Sequence, residues 1–250
     1  MSHIPYPDRF SLSLKENLFL AKKNLVAQIH HLSRFEDCKT TLLQTELIVN
    51  GQNVASASLD DIQTILNLKR GYQYVLGQLS GGAAADMQLL KKINLYVAFN
   101  DALAPGEFRT GSIGVSLPGG KRHEPPPLSE REIADLAGHI REQSGSVTEA
   151  AIRTMLVFMR SQIFWDGNKR TAMLFANAMM IGGGCGVLEI PEHIMPAFNE
   201  KLSAFYRSAD DRDITGFLYE HCIFGIEYAP GRVPEQQVQN PAPSPFSFDF

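Results

Sequence analysis

The chain has 250 residues, 44% of them hydrophobic, enough to bury a substantial core in one large domain or in one domain with a helical extension. A formal net charge of −4 and a pI near 6.0 argue against a broad nucleic-acid or membrane-binding surface, though not against a small basic pocket. The three cysteines, Cys38, Cys185 and Cys222, are too far apart for a disulfide framework or a zinc-ligand spacing, and buried, reduced thiols are expected.

No uninterrupted apolar run is long enough to span a bilayer, and MSHIPYPDRF lacks the apolar core of a signal peptide. A reducing cytoplasm is the expected location, and a secretion route that uses no cleaved signal stays open. Four helix starts are marked by a serine with an acid three residues on: Ser13 with Glu16, Ser58 with Asp61, Ser129 with Glu132, and Ser146 with Glu149. Apolar periodicity predicts helices near 13–32, 38–50, 58–77, 83–100, 129–143, 146–163, 167–182, 191–208 and 212–225.

Strand signals are sparse. Thr110 to Leu117, followed by Pro118-Gly119-Gly120, predicts a short hairpin. Gly111 and Gly114 weaken it as a sheet strand and let a ligand approach the backbone. The prolines at 125–127 force an extended connection into the next helix. The last 22 residues hold five prolines and few aliphatic side chains, so they are expected to be flexible or docked in extended form, with Phe246, Phe248 and Phe250 as the aromatics that would dock. The expected fold class is all-α with a short β-hairpin. Residues 1–80 form an N-terminal helical extension, 83–225 the core domain, and 226–250 a Pro-rich tail.

The chemistry concentrates in Ser161 to Met173, SQIFWDGNKRTAM. An apolar helix ends, Gly167 breaks it, and a second helix starts at once. That second helix presents free amides and a positive dipole end, so Gly167, Asn168 and Lys169 form the wall of an anion site. Arg170 adds a guanidinium that can fork onto phosphate oxygens, and Lys169 adds a point charge. Asp166 is placed to hold a Mg²⁺ that bridges phosphates. Phe164 is expected to anchor the loop in the core. Basic residues at a helix N-terminus oppose the dipole and cost stability unless an anion is present, which favours a ligand over a plain turn.

This stretch resembles the signature of the Fic (Fido) family, His-x-Phe-x-Asp/Glu-Gly-Asn-Gly/Lys-Arg, which Gln162 to Arg170 matches except at the histidine. Gly106 to Arg109, then Ser112, Ile113, Gly114, Val115 and Ser116, and then Pro125-Pro126, look like the family's flap, which clamps an extended protein segment beside the nucleotide. The resemblance covers about residues 83 to 225. It implies a mostly helical fold around a two-helix core, and transfer of AMP from ATP to a target hydroxyl with Mg²⁺. By position, Asp166 would hold the metal, Gly167, Asn168 and Lys169 would line the anion hole, Arg170 would bind phosphate, and residues 112–116 would take a target by strand addition.

Departures from the pattern are informative. Met173 stands where many members have a second arginine. Thr45 to Asn50 looks like the family's inhibitory helix, with Val49 where its glutamate belongs and Glu46 on a different face. Losing both ionic partners avoids a buried unpaired charge, so contact between Val49 and Met173 is expected. Lys169 in place of glycine is similar to the Doc branch, which transfers phosphate instead of AMP.

Gln162 stands where the base histidine belongs. An amide can orient a hydroxyl but cannot take its proton, and losing general-base assistance typically costs ~10²–10⁴-fold. His123 and His139 are the candidate substitutes. Three readings follow: a weakened AMP or phosphate transferase, a nucleotide-binding pseudoenzyme, and a helical protein-interaction module. The implied ligands are ATP and Mg²⁺, with a protein target at the flap, no nucleic acid and no membrane. The sequence is compatible with a homodimer.

Overall fold

A computed structural model describes residues 6–117, 121–141 and 145–228. Its elements in chain order are α1 (Leu14–Lys23), α2 (Leu25–Ser33), a 3₁₀ turn (Arg34–Glu36), α3 (Leu42–Val49), α4 (Leu59–Ser80), α5 (Met87–Val97), β1 (Val115–Ser116), β2 (Arg122–His123), α6 (Glu130–Arg141), α7 (Val147–Ser161), α8 (Asn168–Gly182), β3 (Val187–Leu188), a 3₁₀ turn (Glu192–Ile194), α9 (Met195–Ser208), α10 (Arg212–His221) and β4 (Ile223–Phe224). The fold is mainly helical, as the sequence predicts.

Boundary differences have local causes. The helix expected over 13–32 is two helices, because Asn24 leaves helical geometry (φ −95°, ψ 6°) and closes α1. Asparagine bonds readily in non-helical conformations and so favours such breaks. The helix expected from residue 38 starts at Leu42, where Thr41 and Gln44 cap each other reciprocally. Ser58 caps α4, but Asp61 is too short to answer it and accepts from the Lys39 amide instead, at 3.1 Å. At α7, Asp8 bonds Ser146 Oγ and the Thr148 amide and ties the N-terminal segment to the helix. The last helix stops at His221, and the chain continues into β4, which pairs antiparallel with β3.

The expected hairpin is shorter than 110–117. Only Val115–Ser116 pairs with Arg122–His123, with Val115 opposite His123. The turn expected at 118–120 and the tail aromatics lie outside the described residues.

Helix α8 is the hub. Every residue from Asn168 to Ile181 is buried except Lys169, the pattern of a helix surrounded on all sides. Helices α1, α2, α4, α5 and α7 pack around it. One hydrophobic core runs from Leu18 to Ile223, so the N-terminal helices share it with the rest of the chain. Among the described residues no helix is long and apolar enough to cross a membrane.

Candidate anion-binding site

The loop between α7 and α8 is fixed from several sides. Gln162 ends α7 in the left-handed region (φ 48°, ψ 56°), a conformation that costs a non-glycine residue about 1–2 kcal/mol. Phe164 is buried against Phe108, with ring centroids 5.5 Å apart. The Asn168 side chain spends both ends of its amide on Phe164: Oδ1 accepts from the backbone N–H and Nδ2 donates to the carbonyl, each at 2.9 Å. Fully buried Asn94 donates to the Asp166 carbonyl and to Thr171 Oγ1 and accepts from the Gly106 amide. Gly167 sits at φ +69°, and a Cβ there would lie 2.8 Å from the Ala98 Cβ, so no other residue fits.

This framework leaves the N-terminus of α8 open. No side chain caps it. Among the described residues the amides of Asn168, Lys169 and Arg170 have no hydrogen-bond partner. They face a cleft of about 540 Å³ walled by Glu36, the flap residues Ile113 to Val115, Gln162, Trp165 and the loop from Asp166 to Lys169. A second cleft of about 720 Å³ lies beyond, lined by Arg34, Asp37, Val115, Leu117, Lys169 and Tyr206 among others. Val115 and Lys169 line both, so the two clefts adjoin at β1 and the start of α8.

The charged groups divide sharply. Lys169 has no ion pair among the described residues, and its ammonium lies 5.4 Å from the Phe35 ring centroid. The Asp166 carboxylate is 49% exposed and accepts from the Gly167 amide through Oδ1. Arg170 departs from the expectation of a phosphate fork. It is fully buried, donates to the Val97 carbonyl at 2.7 Å and to Asp101 Oδ2 at 2.9 Å, and places Nε 2.8 Å from Glu36 Oε1. The Nε contact is ionic and poorly aligned as a hydrogen bond. The helix turns Arg170 into the core because it follows Lys169 by one residue, about 100° around the axis. Glu36 lies on the cleft wall, where burial pushes its carboxyl above the ordinary value while Arg170 pulls it down. Sequence reasoning misses Glu36 and Asp101, which are far from the motif in the chain and carry no local pattern.

Gln162 is 7% exposed. Its Nε2 donates to the Met159 carbonyl at 2.6 Å and approaches Tyr206 Oη at 3.5 Å. Burial pushes the Tyr206 phenol well above its ordinary range, so it stays neutral and donates to the same carbonyl. His123 packs against Tyr206 with tilted rings, 4.9 Å between centroids, and its Nε2 bonds the Arg160 carbonyl. Neither His123 nor His139 lines the cleft.

Flap residues Ser112 and Ile113 and Gly114 precede the paired segment, and Ser116 pairs within the hairpin. The close approaches at Gly111 and Gly114 are made by the protein itself: a Cβ at Gly111 would meet Trp165 at 2.7 Å, and one at Gly114 would run into Arg122. Arg109 anchors the flap, a role that no local pattern reveals. Its buried guanidinium donates to the carbonyls of Gln162, Gly111 and Pro126 at 2.6–2.9 Å, and its amide donates to Ile163 O.

Val49 and Met173 are both buried in the common core. Helix α3, which ends in Val49 and is followed by Asn50, packs chiefly on α2 and α4. Met173 lines a small cavity with Gln28, His31, Phe35 and Tyr72.

The open N-terminus of α8 thus lies at the edge of a cleft beneath a two-stranded hairpin in a mainly helical protein. Residues 84–180 match the model of the Fic/DOC family, and the chain carries a Fic domain there. Its structure is similar to a Fic domain-containing signalling protein from Bacteroides thetaiotaomicron (TM-score 0.70, 17% identity, 84% of this chain and 86% of that one). It is also similar to Fic-1, residues 134–508, from C. elegans (0.68, 17%, 81% and 62%) and to a Fic family protein from Desulfovibrio desulfuricans (0.66, 18%, 86% and 73%). At these identities the likeness is one of fold. No curated protein matches the chain by sequence.

Proposed function

We propose that the cleft at the N-terminus of α8 binds the phosphates of ATP with Mg²⁺, and that the chain belongs to the AMP-transferase class of Fic proteins with its chemistry weakened or lost at Gln162. The observation that carries this reading is Lys169. It is the one residue of α8 from Asn168 to Ile181 that is not buried, and it lies where the open helix end meets both clefts. The phosphates would take the free amides and the ammonium, and the nucleoside would lie in the larger cleft beside Tyr206. Asp166 suits Mg²⁺ as a single carboxylate with one oxygen engaged by Gly167, because Mg²⁺ usually takes one or two carboxylates and completes its shell with water and phosphate oxygens. Bound there, the ion would neutralise phosphate charge and orient the transferred group.

The position of Gln162 favours a pseudoenzyme as the second reading. Its amide donors are turned onto Met159 and Tyr206, and among the described residues no other base lines the cleft except the carboxylates of Glu36 and Asp166. The flap would hold an extended protein segment in either case, and phosphate transfer in the manner of Doc is the alternative product.

Calorimetric titration with Mg²⁺-ATP tests the reading, with Lys169→Ala beside the wild type. Lys169→Ala should weaken binding about tenfold or more while leaving the melting temperature nearly unchanged, since a charged hydrogen bond contributes ~1.5–3 kcal/mol. No binding by the folded wild type would eliminate the nucleotide reading and leave an interaction module. If binding is found, α- and γ-labelled ATP with Gln162→His distinguishes AMP transfer from phosphate transfer.

A further inference from the structure

We propose that Glu36 selects the ligand by charge: its carboxylate makes the cleft reject highly charged polyphosphates unless a divalent cation offsets them. This rests on the nucleotide reading above.

The walls of the cleft carry two carboxylates, Glu36 and Asp166, against one ammonium, Lys169. Behind them the Arg170 guanidinium is shared among Glu36, Asp101 and, at 3.7 Å, Asp166, so the three carboxylates outnumber the two cations by one. The open end of α8 adds roughly half a positive charge. The site therefore has amide donors for a phosphate but a net negative wall. The repulsion between Glu36 and a ligand grows with each charge the ligand brings, so it falls hardest on free ATP and least on AMP.

The carboxylate is fixed and cannot swing aside easily. The turn that bears it is pinned on one side by Phe35, which is buried against Phe198 at 5.8 Å, and on the other by Arg34, which pairs with Glu192 at 3.2 Å. Oε1 is drawn to Arg170, while the Glu36 side chain keeps 31% of its surface exposed. Burial already disfavours its ionised form. A phosphate brought beside it would add to that cost, whereas Mg²⁺ held at Asp166 would supply positive charge that relieves it.

The test is a titration of wild type, Glu36→Gln and Glu36→Asp with AMP, ADP and ATP, each with and without Mg²⁺. Glu36→Gln should strengthen Mg²⁺-free ATP binding about tenfold or more, with a smaller gain for ADP and under about threefold for AMP. Glu36→Asp, which keeps the charge, should rank the nucleotides as wild type does. Mg²⁺ should help ATP more in wild type than in Glu36→Gln. An equal gain for all three nucleotides, or no gain, overturns charge selection while leaving the nucleotide reading intact. Absence of binding by all three folded proteins refutes both.

Discussion

Replacing Arg170 by alanine should destabilise the fold strongly, and that loss would precede any effect on a ligand. The guanidinium is fully buried and holds three elements together: the α5 C-terminus through Val97 O, the loop after α5 through Asp101, and the turn after α2 through Glu36. Truncation removes the cation and leaves two partly buried carboxylates facing an empty space. Breaking a buried pair by removing one partner costs ~3–5 kcal/mol. In a chain of this size each kcal/mol moves the melting temperature by about 2–4 °C, so a fall of about 6–20 °C is expected. Differential scanning calorimetry at low ionic strength, without nucleotide, measures it. A fall under about 2 °C would refute the reasoning and return Arg170 to the phosphate site. Lys169→Ala is the internal contrast, because a cation–π contact of its kind contributes only ~0.5–1 kcal/mol.

Arg109→Ala orphans three carbonyl acceptors at the flap base and should cost about 3 kcal/mol, read as a lower urea midpoint with unchanged m. Arg109→Lys should recover part of it, and equal stability of all three proteins would show that the flap is anchored elsewhere. Glu36 gives a pH signature in stability. Its folded pKa is raised above the ordinary value of 4.5, chiefly by burial, so its contribution is fully present below 4.5 and is lost as pH rises through the folded value. Charges that face it are Arg170, Lys169, Asp166 and Asp101. Urea melts of wild type and Glu36→Gln should therefore coincide in acid, with the variant more stable at neutrality; parallel curves across that window would contradict the assignment.

The sequence announces its helices well because the cues are local. Ser13 with Glu16 and Ser129 with Glu132 form the reciprocal caps that their spacing predicts. The breaks are less legible. Nothing short of the tertiary packing distinguishes Asn24 from a tolerated helical asparagine, and β4 is a two-residue strand defined only by its partner β3, with α9 and α10 between them in the chain. The same limit applies at the site. The Gly167 turn and the open helix start are readable from Asp166-Gly167-Asn168, because glycine and a following helix are one local event. The fate of Arg170 is not, because it depends on Glu36 and Asp101 arriving from distant parts of the chain, the nearer of them 69 positions away. A charged residue in a motif looks the same in sequence whether it meets a ligand or a carboxylate of its own chain.

That distinction changes what the motif argues. Taken together, Phe164, Asp166, Gly167, Asn168, Lys169 and Arg170 suggest a site kept for chemistry. In the fold, Phe164 fills the core, Gly167 meets the Ala98 side chain, Asn168 closes its own loop and Arg170 joins three elements. Each would be required of a protein that bound nothing. Lys169 alone among these side chains has no such structural role, since Asp166 accepts from the Gly167 amide and lies 3.7 Å from the Arg170 guanidinium. Among the described residues Lys169 has no ion pair, and it sits at the positive end of a helix, which disfavours a cation; Asp166 is half-exposed beside it. The helix dipole disfavours an ammonium at that position, the carboxylates of Glu36 and Asp166 on the same cleft offset part of that cost, and a bound anion would offset more. The case for a ligand therefore stands on Lys169, and the case for catalysis needs in addition a base that Gln162 does not supply.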